Sequence, residues 1–462
     1  MTARVSKHEQ LLVTMVLGLF MAVASAAVAL TRPESQQEYW AQFDRRDWQA
    51  ATTAAEQLVA VARARAKQQP LQLVEALTLL GNAQLGRADY VSAESSFREA
   101  LVLVEQNVGN ASAQLLDPLR GLGYTLAAGG RHDEAVPHLD RALLIAHRSY
   151  GLFDVSQQGL LRQLAISLTR LGRPEEAERR MNYLMRVGER AYGARDPRFA
   201  ATLSLVGSWY SEVGNFAPAR LSYRNAMEIV AKKLGEQDLA MIEPLRGYAR
   251  TYTQELFFNT LWIRTARPDN QLHTNADGTV EEFRPLNPRF LSTEGERALE
   301  RAVAILDARP EVAKEVAVDT LLQAGDWFQI KHQPDKALPY YKRAWEIAHS
   351  AETLRTAQPL SFPVRLYYPT PQAAARNLRA PDELVDMRYV QVEFTVRSDG
   401  TVQDAKVTEQ DASSRQANDT LEAVLAARYR PKFVDGAPID APGISHREVF
   451  RTRKPTPEDS KE

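Results

Sequence analysis

The chain has 462 residues, with 57 Lys and Arg against 58 Asp and Glu, 44% apolar residues and 25% charged residues. This ordinary globular composition excludes wholesale disorder, and a near-zero net charge excludes the basic footprint by which nucleic-acid binders displace counterions. Cysteine is absent, which excludes disulfides, thiolate metal sites and a cysteine nucleophile, and the length suits two or three domains or one repeat array plus a module.

At the N-terminus, Arg4 and Lys7 form a positive region ahead of a charge-free apolar run from Leu11 to Leu30. Within it Ala24-Ser25-Ala26 and Ala27-Val28-Ala29 both read as small-x-small cleavage sites, so residues 1–29 are expected to be a signal peptide, with the mature chain starting at Ala27 or Leu30. The same run is long enough to span a bilayer, so a retained signal anchor is the alternative. Both readings place the rest of the chain outside the cytoplasm, in the periplasm or anchored in the inner membrane and facing it.

Next comes a repeat. Ala93, Phe97 and Ala100 recur as Ala135, Leu139 and Ala142, as Ala177, Met181 and Leu184, and as Ala219, Tyr223 and Ala226, 42 residues apart each time. The pattern resumes at Gly295, Leu299 and Ala302 and closes at Ala337, Tyr341 and Ala344, again 42 apart. A preceding set keeps the same register: Leu77, Leu80 and Gly81, then Leu119, Leu122 and Gly123, then Leu161, Leu164 and Ala165, then Leu203, Val206 and Gly207, and finally Leu321, Ala324 and Gly325. Spacings of three and four put each set on one helical face. The small residues let two helices approach closely, and the bulky residue fills the groove between them. One such pair cannot bury its apolar face alone, so pairs are expected to stack into an α-solenoid over residues 33–356. Pro33 to Gln69 is expected to be an atypical capping pair.

Leu-x-x-Leu-Gly followed by Ala-x-x-x-Phe-x-x-Ala resembles the tetratricopeptide (TPR) motif. The family repeat is usually about 34 residues, so here each helix gains about one turn, as in the long variant of kinesin light chains. HEAT and armadillo repeats share the longer period but lack this small-residue signature. The unit whose first helix ends near Phe258 resumes only near Ser292, leaving an insertion at about 259–291. It reads as a loop, with a hairpin at Asn275–Val280. It is either a binding-face element or a tolerated surface insertion.

From Pro359 the helical period stops. Val390, Val392, Phe394 and Val396 alternate with Gln391, Glu393, Thr395 and Arg397, which predicts a half-buried strand. Asp399-Gly400 supplies a hairpin turn, and Thr401 to Val407 returns. Ala417 to Tyr429 is spaced as a helix that Pro431 ends, Asp435-Gly436 turns the chain again, and Ile444 to Arg451 forms a last strand. The module is therefore read as β-β-α-β over residues 359–454, with a disordered tail at 455–462.

Tyr368-Pro369, the Phe-Thr-Val-x-x-Asp-Gly-x-Val hairpin, Arg428-Tyr429-Arg430-Pro431, Asp435-Gly436 and the strand ending at Arg451 together resemble the C-terminal domain of TonB proteins. The resemblance implies a periplasmic module that takes an extended peptide from an outer-membrane receptor by strand addition. The last strand is then the expected open edge, with Ile444, His446, Glu448 and Phe450 as candidate partner-binding residues. Three departures stand. A solenoid replaces the family's Pro-rich spacer, Asp382 to Asp386 adds an acidic stretch, and the Ser and His of the family's membrane helix are unmatched, since Ser6 and His8 precede the apolar run.

No catalytic constellation is legible. There is no Walker loop, dinucleotide glycine fingerprint, paired His at zinc spacing or Gly-x-Ser-x-Gly elbow. His132, His138 and His147 are expected to be solvated. Asn275 to Glu282 is no calcium loop, because Arg284 stands where the closing Glu belongs. The expectation is a non-enzymatic interaction scaffold without cofactor or metal, binding protein or peptide partners and no nucleic acid. The alternative is an anchored TonB-type energy transducer.

Overall fold

The computed structural model describes residues 33–265, 291–350, 360–369, 371 and 385–453. The expectations about the N-terminal apolar run, the hairpin at Asn275–Val280 and the C-terminal tail lie outside them. The chain divides into two compact units, residues 1–209 and 210–462. The division falls inside a helix, and the C-terminal module shares one unit with the last repeats.

The first unit holds α1 (Gln37–Asp44), α2 (Trp48–Ala64), α3 (Pro70–Gly86), α4 (Tyr90–Asn107), α5 (Leu116–Ala128), α6 (His132–Tyr150), α7 (Gln158–Arg170), α8 (Pro174–Tyr192) and α9 (Pro197–Glu212) up to Trp209. Short polar residues cap several of the helices. Asp47 and Asp89 cap α2 and α4 by accepting from Ala50 N and Ser92 N. Ser112, Asp154 and Asp196 accept from the amides of Gln114, Ser156 and Arg198 before α5, α7 and α9. Each such cap contributes about 1 kcal/mol. Ser112, Asp154 and Asp196 stand 42 residues apart, as do Asp47 and Asp89, but the next positions of the second series, Arg131 and Arg173, make no side-chain cap.

The small residues explain the packing. A Cβ on Gly81 would lie 2.7 Å from the Phe97 ring and one on Gly121 2.3 Å from it. Phe97 is thus clasped between α3 and α5, with no exposed surface. Gly123 receives Leu139 in the same way, at 2.5 Å. Ala93, Ala135 and Ala177 are fully buried, and Gly207 is buried.

The second unit begins in α9 and continues through α10 (Phe216–Lys233), α11 (Ile242–Thr265), α12 (Thr293–Ala308), α13 (Lys314–Ile330) and α14 (Pro334–His349). Helix α11 runs to Thr265 rather than ending near Phe258. Its Gly247 accommodates Tyr223 of α10, and Gly325 of α13 accommodates Tyr341 of α14. Ala219 and Ala337 are fully buried. Among the described residues no helix is long and apolar enough to cross a membrane.

The module adds β1 (Val364–Tyr367), β2 (Val385–Val396), β3 (Val402–Gln410), α15 (Ser414–Ala426), β4 (Arg428–Arg430), β5 (Lys432–Val434), β6 (Ala437–Ile439) and β7 (Ala441–Arg453). Strands β3, β2 and β7 form an antiparallel sheet in that order. Val390, Val392, Phe394, Val396 and Phe450 on its inner face share a core with Ala417 and Val424 of α15, which starts at a Ser413/Gln416 capping box. Two readings change. Arg428 to Arg430, expected as a helix exit, is a strand paired with β1, and β5–β6 is an additional hairpin.

Candidate functional site

Among the described residues β7 is an edge strand of its sheet, and the direction of its main-chain groups follows from the hydrogen-bond ladder. The Tyr389 carbonyl accepts from Asp411 N at 3.1 Å, and its N–H donates to the Asp411 carboxylate. The main chain of Tyr389 therefore faces β3. Main-chain groups alternate direction along an antiparallel strand, so Arg388, Val390 and Val392 face β7, opposite Phe450, Glu448 and His446. Those three residues of β7 direct their amides and carbonyls to β2, and Ser445, Arg447, Val449 and Arg451 direct theirs to the open side.

The four candidate partner-binding residues look inward. Phe450 and Glu448 are 0% and 1% exposed, while Ile444 and His446 are half-buried. Glu448 accepts from the Tyr368 hydroxyl at 3.0 Å and from His446 Nε2 at 3.1 Å. Arg365 approaches His446 Nδ1 at 3.1 Å and lies over the Tyr368 ring. A guanidinium only donates, so Nδ1 accepts and Nε2 carries the proton given to Glu448. These side chains fix the inner face of the edge strand and are not available to a partner, which corrects the expectation for Ile444, His446, Glu448 and Phe450 as side-chain contacts.

The outer face carries the exposed chemistry. The Arg447 guanidinium lies 3.6 Å from the Tyr389 ring centroid. The Tyr389 hydroxyl donates to Glu409 at 2.6 Å, and this hydrogen bond pushes the phenol pKa up. The opposite edge, β3, is irregular: Asp404 has φ +53°, the pairing register slips beside it, and Lys406 pairs with Glu393 at 3.2 Å. Bulges and lysines of this kind blunt an edge, whereas β7 runs in unbroken register from Ile444 to Arg453.

A second cluster was not legible in the sequence. Arg430 of β4 donates from Nε and Nη2 to the Asp326 carboxylate of α13 at 2.9 and 2.6 Å, and the Tyr341 hydroxyl donates to the same carboxylate at 2.9 Å. Burial works against the Arg430 charge, but Asp326 more than restores it, and the guanidinium pKa lies above its ordinary value. Burial first, and Asp326 second, push the Tyr341 phenol well up. Gln329 donates to the Asp399 carbonyl at 2.8 Å. Gly400, at φ +79°, has no room for a Cβ, which would meet Tyr429 O at 2.1 Å. Arg428 Nη2 approaches His332 Nδ1 at 2.9 Å. The module is thus docked on the last helix pair.

The repeat register holds a signal for this docking. His332 takes φ +61°, the conformation that Ala88, Gly130, Gly172 and Gly214 take at the corresponding turns. Asp326 follows Gly325 where Asn82, Tyr124 and Ser208 follow Gly81, Gly123 and Gly207. At both positions the last repeat carries a residue that its neighbours lack, and both residues contact the module.

Elsewhere, the expectation of solvated histidines is corrected. His132 and His147 are half-buried and lie 3.2 Å from Ser167 Oγ and the Tyr183 hydroxyl. Burial lowers the pKa of His132, His138 and His147. Among the described residues no group of His, Asp and Glu side chains is arranged to hold a metal ion.

Residues 156–232 match the tetratricopeptide repeat family, and residues 388–447 match the Gram-negative bacterial TonB protein C-terminal family. Neither is an enzyme family. No curated protein matches the chain. Among solved structures it is similar to BtubC (BKLC) from P. vanneervenii, with 18% identity over 72% of this chain and 99% of that one and a TM-score of 0.36. It is also similar to RapI in its apo form, with 12% identity over 70% and 98% and a TM-score of 0.40. A third similarity is to the TPR-like repeats of a kinesin light chain type from Podosopora anserina, with 16% identity over 43% and 94% and a TM-score of 0.39. The chain carries tetratricopeptide repeats followed by a TonB-type C-terminal domain.

Proposed function

We propose that the chain is an exported, periplasmic interaction scaffold. Its helix-pair repeats hold one protein, and β7 receives an extended peptide, of the kind an outer-membrane receptor offers, by strand addition. The observation that carries the second half is the regular edge of β7, where Ser445, Arg447, Val449 and Arg451 aim their main chain away from β2. Such an edge is an aggregation hazard unless it is guarded or used. Strand addition uses it: main-chain hydrogen bonds supply affinity, and alternate side chains supply selectivity. Export is supported by the positive N-terminus and the charge-free run ending in two cleavage sites.

The edge is tested by proline. Val449→Pro removes a donor that faces the open side, so the domain should stay folded while peptide binding is lost. Glu448→Pro removes a donor that faces β2, and should disrupt the sheet itself. Equal peptide binding by the Val449→Pro variant and the parent would sink the strand-addition reading. Export is tested by mass spectrometry of the native protein, with a mature start at Ala27 or Leu30 expected in the periplasmic fraction. An intact N-terminus in the membrane fraction would instead favour an anchored energy transducer.

A further inference from the structure

The turn between α6 and α7 differs from the other turns of the array at its tip. Leu152 and Phe153 stand there, where the same register holds Asn110-Ala111, Ala194-Arg195 and Glu236-Gln237. Leu152 is 56% exposed and Phe153 43%, and Tyr150 at the end of α6 is 54% exposed. A Cβ on Gly151 between them would meet nothing within 4 Å, so the tip projects into open space. A single exposed apolar residue is ordinary, but three on one turn point to an interaction surface.

The tip is held in shape from beneath. The Tyr183 hydroxyl donates to the Leu152 carbonyl at 2.6 Å, and the fully buried Gln157 donates from Nε2 to the Gly151 carbonyl at 2.5 Å. Both carbonyls are thus satisfied from within the protein, so little backbone polarity is stripped of partners when the tip leaves bulk water. Two arginines of α8 flank it. Arg186 lies over the Tyr183 ring at 5.7 Å and Arg190 over the Phe153 ring at 5.8 Å. In the turn and the last turns of α6 and α8, Arg148, Arg186 and Arg190 stand against Asp154 and Glu189. Asp154 is engaged by the Ser156 amide and hydroxyl. His147, whose pKa burial lowers, adds no charge at neutral pH. The rim is therefore net cationic around an apolar centre.

We propose that this turn is a contact for an anionic phospholipid surface, with Tyr150, Leu152 and Phe153 seated among the headgroups and Arg186 and Arg190 on lipid phosphates. Aromatic side chains settle at the level of the headgroups, and guanidiniums pair with phosphate. A projecting tip also fits a fluid interface, which needs no preformed pocket, better than a folded partner, which does. The contact goes beyond the scaffold reading and depends neither on strand addition nor on removal of residues 1–29.

The test uses the full chain, which has no cysteine of its own. It carries Ser149→Cys, or Ala111→Cys at the tip of the preceding turn, labelled with the polarity-sensitive fluorophore NBD; both positions are exposed. Residues 1–29 could bring any variant to a vesicle, so the readout is local to the turn. Vesicles of phosphatidylcholine with phosphatidylglycerol should shift the Ser149 label to the blue, phosphatidylcholine alone should do so less, and the Ala111 label should not move. Leu152→Asn with Phe153→Ala, the pair that the preceding turn carries, should abolish the shift and leave circular dichroism unchanged. Arg186→Gln with Arg190→Gln should weaken insertion into the anionic vesicles by about 30-fold at most. No shift on any vesicle, or a shift that survives Leu152→Asn with Phe153→Ala, overturns the proposal. An equal shift at Ala111 overturns the assignment to this turn, and equal shifts on both kinds of vesicle overturn the anionic selection. A blue shift without lipid that grows with protein concentration assigns the tip to a second copy of the chain instead.

Discussion

Replacing Asp326 by Ala leaves the Arg430 guanidinium without its bidentate partner and the Tyr341 hydroxyl without its acceptor. Removing one member of a buried pair costs about 3–5 kcal/mol, because the charge left behind is uncompensated. Here the side chains are 15% and 20% exposed, so water reaches the orphaned guanidinium and the lower end, about 3 kcal/mol, is expected. The loss should appear in the second unit, as faster amide hydrogen exchange at Arg428 to Arg430 and along α13, together with a lower urea midpoint. The companion is the double variant Asp326→Leu, Arg430→Met, which removes both charges. Apolar replacement of a whole buried pair is often neutral or stabilising, so the double variant should regain most of the stability lost by the single one. The reasoning fails if Asp326→Ala costs under about 1 kcal/mol, or if the double variant loses the sum of the two single losses; a double-mutant cycle reads both.

Ala135 is fully buried at a helix crossing, so Ala135→Leu should overpack the first unit and cost about 1–3 kcal/mol; an unchanged urea midpoint would refute the repeat register. Gly325→Ala places a Cβ 2.4 Å from the Tyr341 ring, which is itself bonded to Asp326, and should cost about 1–3 kcal/mol and loosen β4 in hydrogen exchange as well. Burial lowers the pKa of His132 and His138, so near their ordinary value, about 6.5, the unfolded chain binds more protons than the folded one. Stability is then complete above that value and falls as pH drops through it. The double variant His132→Gln, His138→Gln should flatten the urea midpoint between about pH 7 and pH 5, and an unaltered slope would contradict the assignment.

The repeats were legible because one physical requirement, a small residue facing a bulky one, recurs every 42 residues and leaves the same trace each time. Val390 to Val396 was legible for a similar reason, since strict alternation marks a strand with one buried face. Arg428 to Arg430 misled because Leu421, Val424 and Leu425 carry helical spacing up to it, while its strand character depends on Val364 to Tyr367, distant in sequence. The docking of the module was hidden for the opposite reason to the repeats. Pattern reading rewards agreement with a consensus, whereas Asp326 stands at a position that varies from repeat to repeat and His332 replaces the small residue of its neighbours. Which residues of β7 own the open edge could not be read at all. That depends on the pairing register with β2, which Tyr389 and Asp411 reveal only in the folded chain.

Docking and the proposed peptide capture involve different parts of the module. Docking engages β4 through Arg428 and Arg430, the Asp399–Gly400 turn against Gln329, and the Asp435–Gly436 turn, whose glycine lies against the Trp345 ring. The open edge belongs to β7, which is held by β2 and, on its inner face, by Arg365 and Tyr368. Strand β2 nevertheless links the two, since it pairs with β7 and then runs into the turn that Gln329 holds. A pull on a peptide added to β7 would therefore pass through the β2–β7 ladder and the Asp399 carbonyl to α13. This separates affinity from mechanical coupling. Asp326→Ala should leave peptide affinity at β7 unchanged while lowering the force at which the module detaches from the last helix pair in a single-molecule pulling experiment. A loss of peptide affinity in that variant would show that the edge depends on docking, and the two functions would have to be treated as one.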